Sequence, residues 1–217
     1  MPDQIDNRIV ADEDDAPEPT PEQAEKLVEA AEKALAGGLE GRLFKQRKVL
    51  IFGEINDKVA RVVTAQLLAL AGAEDAPIDV FVNSPGGHVE SGDTIHDMIR
   101  FVSAASPVRM IGTGWVASAG ALIFLAGVKE HRYCLPNTRF LLHQPMGGVR
   151  GPATDIDIEA KEIIKMRARI NRIIARETGQ TLEQIERDTD RNHWMGAKEA
   201  IAYGMVNKII ENATEIG

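Results

Sequence analysis

Ser118 lies in the run Gly114-Trp115-Val116-Ala117-Ser118-Ala119-Gly120, between an apolar stretch that predicts a strand and one that predicts a helix. A serine at such a junction is presented at a strand end. The helix beyond it offers free N–H groups and the positive end of its dipole, both suited to an oxyanion. Alanine and glycine neighbours leave room for a substrate. The run also has a plain structural reading: serine is a common N-cap, and Val116 replaces the glycine that marks a nucleophile elbow.

His143 follows Phe140-Leu141-Leu142 and precedes Gln144-Pro145, at the carboxyl end of a predicted strand, where open α/β sheets gather ligands. Alone it reads equally as a loop histidine bonded to backbone. A serine nucleophile needs a base within hydrogen-bond reach, so the pair says more than either residue. Asn83-Ser84-Pro85-Gly86-Gly87 offers either unhindered N–H groups beside a ligand or a tight turn, and Gly147-Gly148 raises the same choice. Asp188, Asp190, Asn192 and Glu199 have the spacing of calcium-loop ligands, but His193 stands where that loop needs glycine. With no paired histidines and no Cys-x-x-Cys, no metal is expected.

The elements that must position these residues alternate. Apolar strands are predicted at 49–52, 78–82, 108–112, 131–134 and 139–142, and helices around 57–71, 89–102 and 118–127. This order predicts an α/β domain with helices on a largely parallel sheet. The remainder reads as mainly helical. A long helix opens with a Thr154/Asp157 capping box and closes at Gly179, and a shorter one opens at Thr181/Gln184. Residues 1–19 are acidic and proline-bearing, which predicts a disordered tail. Residues 20–42 predict a short appended helix and linker, with Thr20 as cap and Gly37-Gly38 as stop. Residues 43–217 form the main domain.

The 217 residues suffice for one sizeable core. A formal charge of -8 without a basic tract argues against nucleic acid and anionic membrane as partners. The single cysteine, Cys134, excludes an internal disulfide framework and fits a reducing cytoplasm. The acidic start lacks the basic and apolar regions of an export signal, and the most apolar run, Ala117 to Val128, is too short to span a membrane.

Six short motifs in order and spacing give the chain a family resemblance: Asn83-Ser84-Pro85-Gly86-Gly87, Ala117-Ser118-Ala119-Gly120, Leu135-Pro136-Asn137, His143-Gln144-Pro145, Ala153-Thr154-Asp155-Ile156 and Gln184-Ile185-Glu186-Arg187-Asp188-Thr189. From about Leu43 to Ile210 the chain resembles the proteolytic subunit of the ATP-dependent Clp protease. The resemblance implies a crotonase-like spiral of β-β-α units with a protruding handle helix at 155–178, assembled as stacked heptameric rings around a chamber. It implies a serine endopeptidase with Ser118 as nucleophile, His143 as base, and the Gly87 and Ala119 N–H groups as oxyanion hole. Residues 147–153 match the strand along which the substrate peptide lies, and Asp190 with Arg191 an inter-ring charged pair. The subunit would need no cofactor, ATP being used only by a partner AAA+ unfoldase.

Three positions depart from the family. Asn192 stands where its third triad residue is normally aspartate. Residues 1–42 have no counterpart to its axial loop. Asp79 and Thr113 replace apolar or aromatic residues that dock the ATPase. Two other functions therefore stay open: a catalytically silent structural subunit of a mixed ring, and an acyl-CoA enzyme holding a thioester oxyanion on Gly86-Gly87.

Overall fold

The computed structural model describes residues 20, 26, 38–72 and 76–216, and the chain divides into two compact units, Met1–Arg42 and Leu43–Gly217. In the first, residues 38–42 are helical, so Gly38 lies within a helix rather than stopping one, a glycine there costing only about 1 kcal/mol, and 38–42 is not a linker; the cap and helix expected from Thr20 to Gly37 lie mostly outside the described residues.

The second unit is built on a seven-stranded sheet: β1 (Lys48–Phe52), β2 (Ile78–Ser84), β3 (Val108–Ala117), β4 (Arg132–Cys134), β5 (Arg139–Leu142), β6 (His193–Gly196) and β7 (Lys208–Ile209). Strands run parallel in the order β1-β2-β3-β4-β7. The long β3 serves two neighbours, pairing its middle with β4 and its end, Trp115–Ala117, with β5. Only β6 is antiparallel, against β5. Ile78, Val80, Val82, Met110 and Ile111 are wholly buried, as strands covered on both faces require.

The helices are α1 (Asp57–Leu70), α2 (Val89–Val102), α3 (Ala119–Phe124), α4 (Ala153–Thr178), α5 (Leu182–Asp188) and α6 (Ala197–Tyr203). In α1 the Asn56 side chain caps the Val59 N–H, and Ala60, Val63, Leu67 and Leu70 recur on one face that packs into the core. Thr181 caps α5 through the Gln184 N–H, and Gly179 closes α4 in the left-handed conformation.

Two local expectations in this unit are corrected. Helix α4 starts at Ala153 with Pro152 as N-cap, so Thr154 sits inside a turn already closed by Ile156 N–H on the Pro152 carbonyl and makes no cap. Strand β3 runs to Ala117 rather than stopping at 112, because its register shifts against β2 and then finds β5. The remainder is mainly helical as expected, with β6 and β7 returning to the sheet.

Candidate active site

The interior parallel strand β3 delivers Ser118 at its carboxyl end. The Ser118 N–H donates to the Leu141 carbonyl at the end of β5, while its own carbonyl accepts from Ala121 and Leu122 as α3 begins. Held from both sides, Ser118 adopts φ 54 and ψ -121, a strained conformation for a residue with a side chain. Its hydroxyl makes no cap bond. The elbow whose glycine was missing from the sequence is therefore present in the backbone, and although Ser118 stands at the N-cap position its hydroxyl is not spent on capping. Room comes from elsewhere: a Cβ at Gly86 would lie 2.5 Å from Ser118 Cβ and 3.0 Å from its Oγ.

Ser118 and His143 line one apolar cleft with Val89, Leu122, Leu142 and Ile170. Desolvation by these walls pulls the His143 imidazole below its ordinary value of 6.5, and a hydrogen bond to the Asn192 side chain partly offsets this. The imidazole is thus neutral at pH 7, the form a base needs. Asn192 is exposed, but the chain leading to it is anchored: the Thr189 hydroxyl donates to Asn171 of α4 at 3.2 Å and to the Ile185 carbonyl at 2.8 Å. Gln144, the residue after His143, donates its N–H to the Thr189 carbonyl at 2.7 Å and its side-chain NH₂ to the Asp190 carbonyl at 2.8 Å. The histidine and asparagine segments are laced together.

The two candidate oxyanion donors have different origins. Ala119 is the first residue of α3, so its N–H has no intrahelical acceptor. Gly87 bridges to Ile55: Ile55 N–H donates to the Gly86 carbonyl at 2.8 Å and His88 N–H to the Ile55 carbonyl at 2.9 Å. That bridge does not use the Gly87 N–H. At φ 147, with a Cβ colliding with the Ile55 backbone, only glycine fits position 87.

Other singled-out residues go elsewhere. Asp188 accepts from Gln184 and Tyr203, and Glu199 accepts the Gly196 N–H, so the calcium-loop spacing is dispersed. Among the described residues no group of three His, Cys, Asp or Glu is placed to hold a metal, and no helix is long and apolar enough to cross a membrane. Asp190 meets Arg167 at 3.4 Å and Arg191 at 3.6 Å. Residues 143–150 pair with no strand. Asp79 is buried and accepts from Arg109 Nε at 2.6 Å across β2 and β3. Its charge is already neutralised, so it does not present the bare carboxylate that the sequence suggests. The sequence reading missed the part of Ile55 and of the His88 side chain beside the Pro-Gly-Gly turn; the only available signal was the helix start at Asn56-Asp57.

A strained serine and a neutral histidine opening onto one cleft at the carboxyl ends of parallel strands are the parts of a serine-type hydrolase. The Clp protease family pattern matches residues 32–213. The chain is 72% identical over 206 residues to ATP-dependent Clp protease proteolytic subunit 2 of Gluconobacter oxydans, covering 94% of this chain and 91% of that one. It is 59% identical over 177 residues to proteolytic subunit 3 of Rhizobium johnstonii, covering 82% and 90%. Among solved structures, ClpP1 from Listeria monocytogenes superposes with a TM-score of 0.74 at 54% identity, over 82% of this chain and 99% of that one. The chain belongs to the Clp protease family, and its activity is that of a serine endopeptidase.

Proposed function

We propose that Ser118 attacks the peptide carbonyl, that His143 takes its proton and later returns it to the leaving amine, and that the Gly87 and Ala119 N–H groups hold the oxyanion. Asn192 orients His143 through its side-chain carbonyl. The observation that carries this reading is the strained Ser118 backbone at the mouth of a cleft shared with His143. No step needs a cofactor within the subunit.

The names of the relatives support placing the chain in an ATP-dependent protease, as the proteolytic subunit fed by an AAA+ unfoldase, the only component that uses ATP. Stacked heptameric rings enclosing Ser118 in a chamber, peptides and unfolded proteins as substrates, and a cytoplasmic location complete the proposal. Residues 43–217 are the catalytic domain in this proposal.

Asn192 favours one second reading, a silent structural subunit of a mixed ring. Reaction with a serine-directed fluorophosphonate, followed by intact mass, separates the two. A single adduct, lost in Ser118→Ala and slowed in His143→Ala, is expected of the peptidase; an unlabelled wild type would leave the structural subunit.

A further inference from the structure

His88 follows the oxyanion glycine directly, and its side chain is engaged on both ring nitrogens. Nδ1 lies 2.8 Å from Ser91 Oγ and 3.4 Å from Asp57 Oδ1, and Nε2 lies 3.1 Å from Glu90 Oε2. The buried Ser91 hydroxyl donates to Asp57 Oδ1 at 2.6 Å. These groups are not a second hydrolytic site, because the serine proton points at the carboxylate rather than the imidazole and Ser91 is closed to substrate. Since the Ser91 proton is spent on Asp57, Ser91 Oγ must accept from Nδ1–H. Nε2 faces the Glu90 carboxylate on the other side of the ring.

Its place in the fold gives the cluster a consequence. Ile55-Asn56-Asp57 and Gly86-Gly87-His88 run side by side as two short parallel segments. The first ends in helix α1 and the second opens α2. They are joined at one end by the backbone bonds of Ile55 to Gly86 and His88, and at the other by the side chains of Asp57, Ser91 and His88. In a planar trans peptide the C=O and N–H point opposite ways. The bond that fixes the Gly86 carbonyl on Ile55 therefore also aims the Gly87 N–H away from Ile55, on the unit whose Gly86 packs against Ser118. Shear of α1 against the α2 entry would tilt that peptide, and at this end of the two helices the side-chain cluster adds to the bridge and to the apolar packing of α1 on α2 in resisting it.

We propose that His88, clamped by Asp57, Ser91 and Glu90, is a positioning residue for the oxyanion-binding N–H of Gly87. This rests on the assignment of Gly87 to the oxyanion hole made above. His88 touches no substrate; it acts through the orientation of one peptide plane, so its effect falls on the tetrahedral intermediate and not on substrate docking.

The test compares wild type, His88→Ala, His88→Gln, Asp57→Asn and the Asp57→Asn/His88→Ala double variant. Each is assayed for kcat and KM on a short fluorogenic peptide and for inhibition by a peptide boronate, whose adduct on a serine mimics the oxyanion. His88→Ala is expected to lower kcat and weaken boronate inhibition in parallel, by on the order of tenfold, against the hundredfold or more that deleting an oxyanion donor costs. KM should stay unchanged. His88→Gln, which keeps an NH₂ donor, recovers part of the loss, and the double variant is no worse than His88→Ala alone, since both remove one clamp. A His88→Ala enzyme within about twofold of wild type in kcat and boronate affinity would overturn the clamp. So would a loss that appears in KM, or one accompanied by a fall in melting temperature that His88→Gln does not reverse. Fluorophosphonate labelling of the wild type keeps the two readings apart. An unlabelled wild type overturns the catalytic assignment and the clamp with it, whereas a labelled wild type with an indifferent His88→Ala overturns the clamp alone.

Discussion

In the proposed triad, asparagine in place of a carboxylate changes one thing about His143 and leaves another. Its amide carbonyl can still accept the imidazole N–H, so geometry survives, but it brings no negative charge to stabilise the imidazolium formed during attack. In serine proteases the aspartate-to-asparagine change costs about four orders of magnitude in turnover. Asn192→Asp should therefore raise peptide turnover at least roughly tenfold, about 1.4 kcal/mol in barrier; unchanged turnover in an intact oligomer would remove Asn192 from the site. The pH profile moves too. Burial holds His143 below 6.5, so the acid limb of kcat/KM in the wild type should fall below that value, activity being lost as pH drops and the base takes a proton. An aspartate beside it favours the charged imidazole, so the limb should shift upward in Asn192→Asp. A wild-type limb above 6.5 would show that the cleft does not desolvate the histidine. At this scale residue type and strand-end position made Ser118 and His143 candidates, and only the six motifs in register set them above a capping serine and a loop histidine. The strain at Ser118 was not legible, because it comes from Leu141 accepting the Ser118 N–H some twenty residues away in sequence.

Among the elements, long periodic segments were legible within a residue or two. The α1 face at Ala60, Val63, Leu67 and Leu70 is such a pattern, as is the buried alternation of Ile78, Val80 and Val82 in β2. Short elements were not. Strand β6 carries His193 and Trp194 with little alternation, and β7 is two residues long, so only their partners β5 and β4 make them strands. The closing end of α4 shows what tertiary structure adds. Arg132 on β4, 1% exposed, donates to the Gly127 carbonyl at 2.7 Å, to the Glu177 carbonyl at 2.9 Å and to the Glu177 carboxylate at 2.7 Å. Burial lowers the Arg132 guanidinium from its usual range, and Glu177 works against that. Glu177→Ala strands a buried cation and should cost about 3 kcal/mol or more in chemical denaturation. Partial cover from nearby groups would show as a loss under about 1 kcal/mol, and would mean that the α4 end is held by packing alone.

At the scale of the whole molecule, the apolar stripe of α4 outruns the body it packs on. Ile170 and Ile174 are buried in the core, while Ile156 on the same stripe is 41% exposed and Ile164 nearby is 66% exposed. A helix of 26 residues is about 39 Å long, and residues 153–162 are exposed throughout. Nothing in the described residues covers this end, so a second copy is the natural partner, with each isoleucine contributing up to about 2 kcal/mol when fully buried. Assembly should also reach the active site. Ile163 lies 3.9 Å from where a Gly147 side chain would begin, and Gln144 is bonded to the Thr189 and Asp190 carbonyls, so α4 and the Asp190 segment support the chain that leaves His143. Ile156→Glu, far from the core, should fold with unchanged circular dichroism, sediment at half the wild-type mass or less, and lose most peptidase activity. Asp190→Asn should lower activity in step with assembly, regaining it at higher protein concentration, whereas Asn192→Asp acts at every concentration. Retention of the full wild-type mass by Ile156→Glu would show that rings do not meet through this helix. A dissociated but fully active Ile156→Glu would cut the link from assembly to His143.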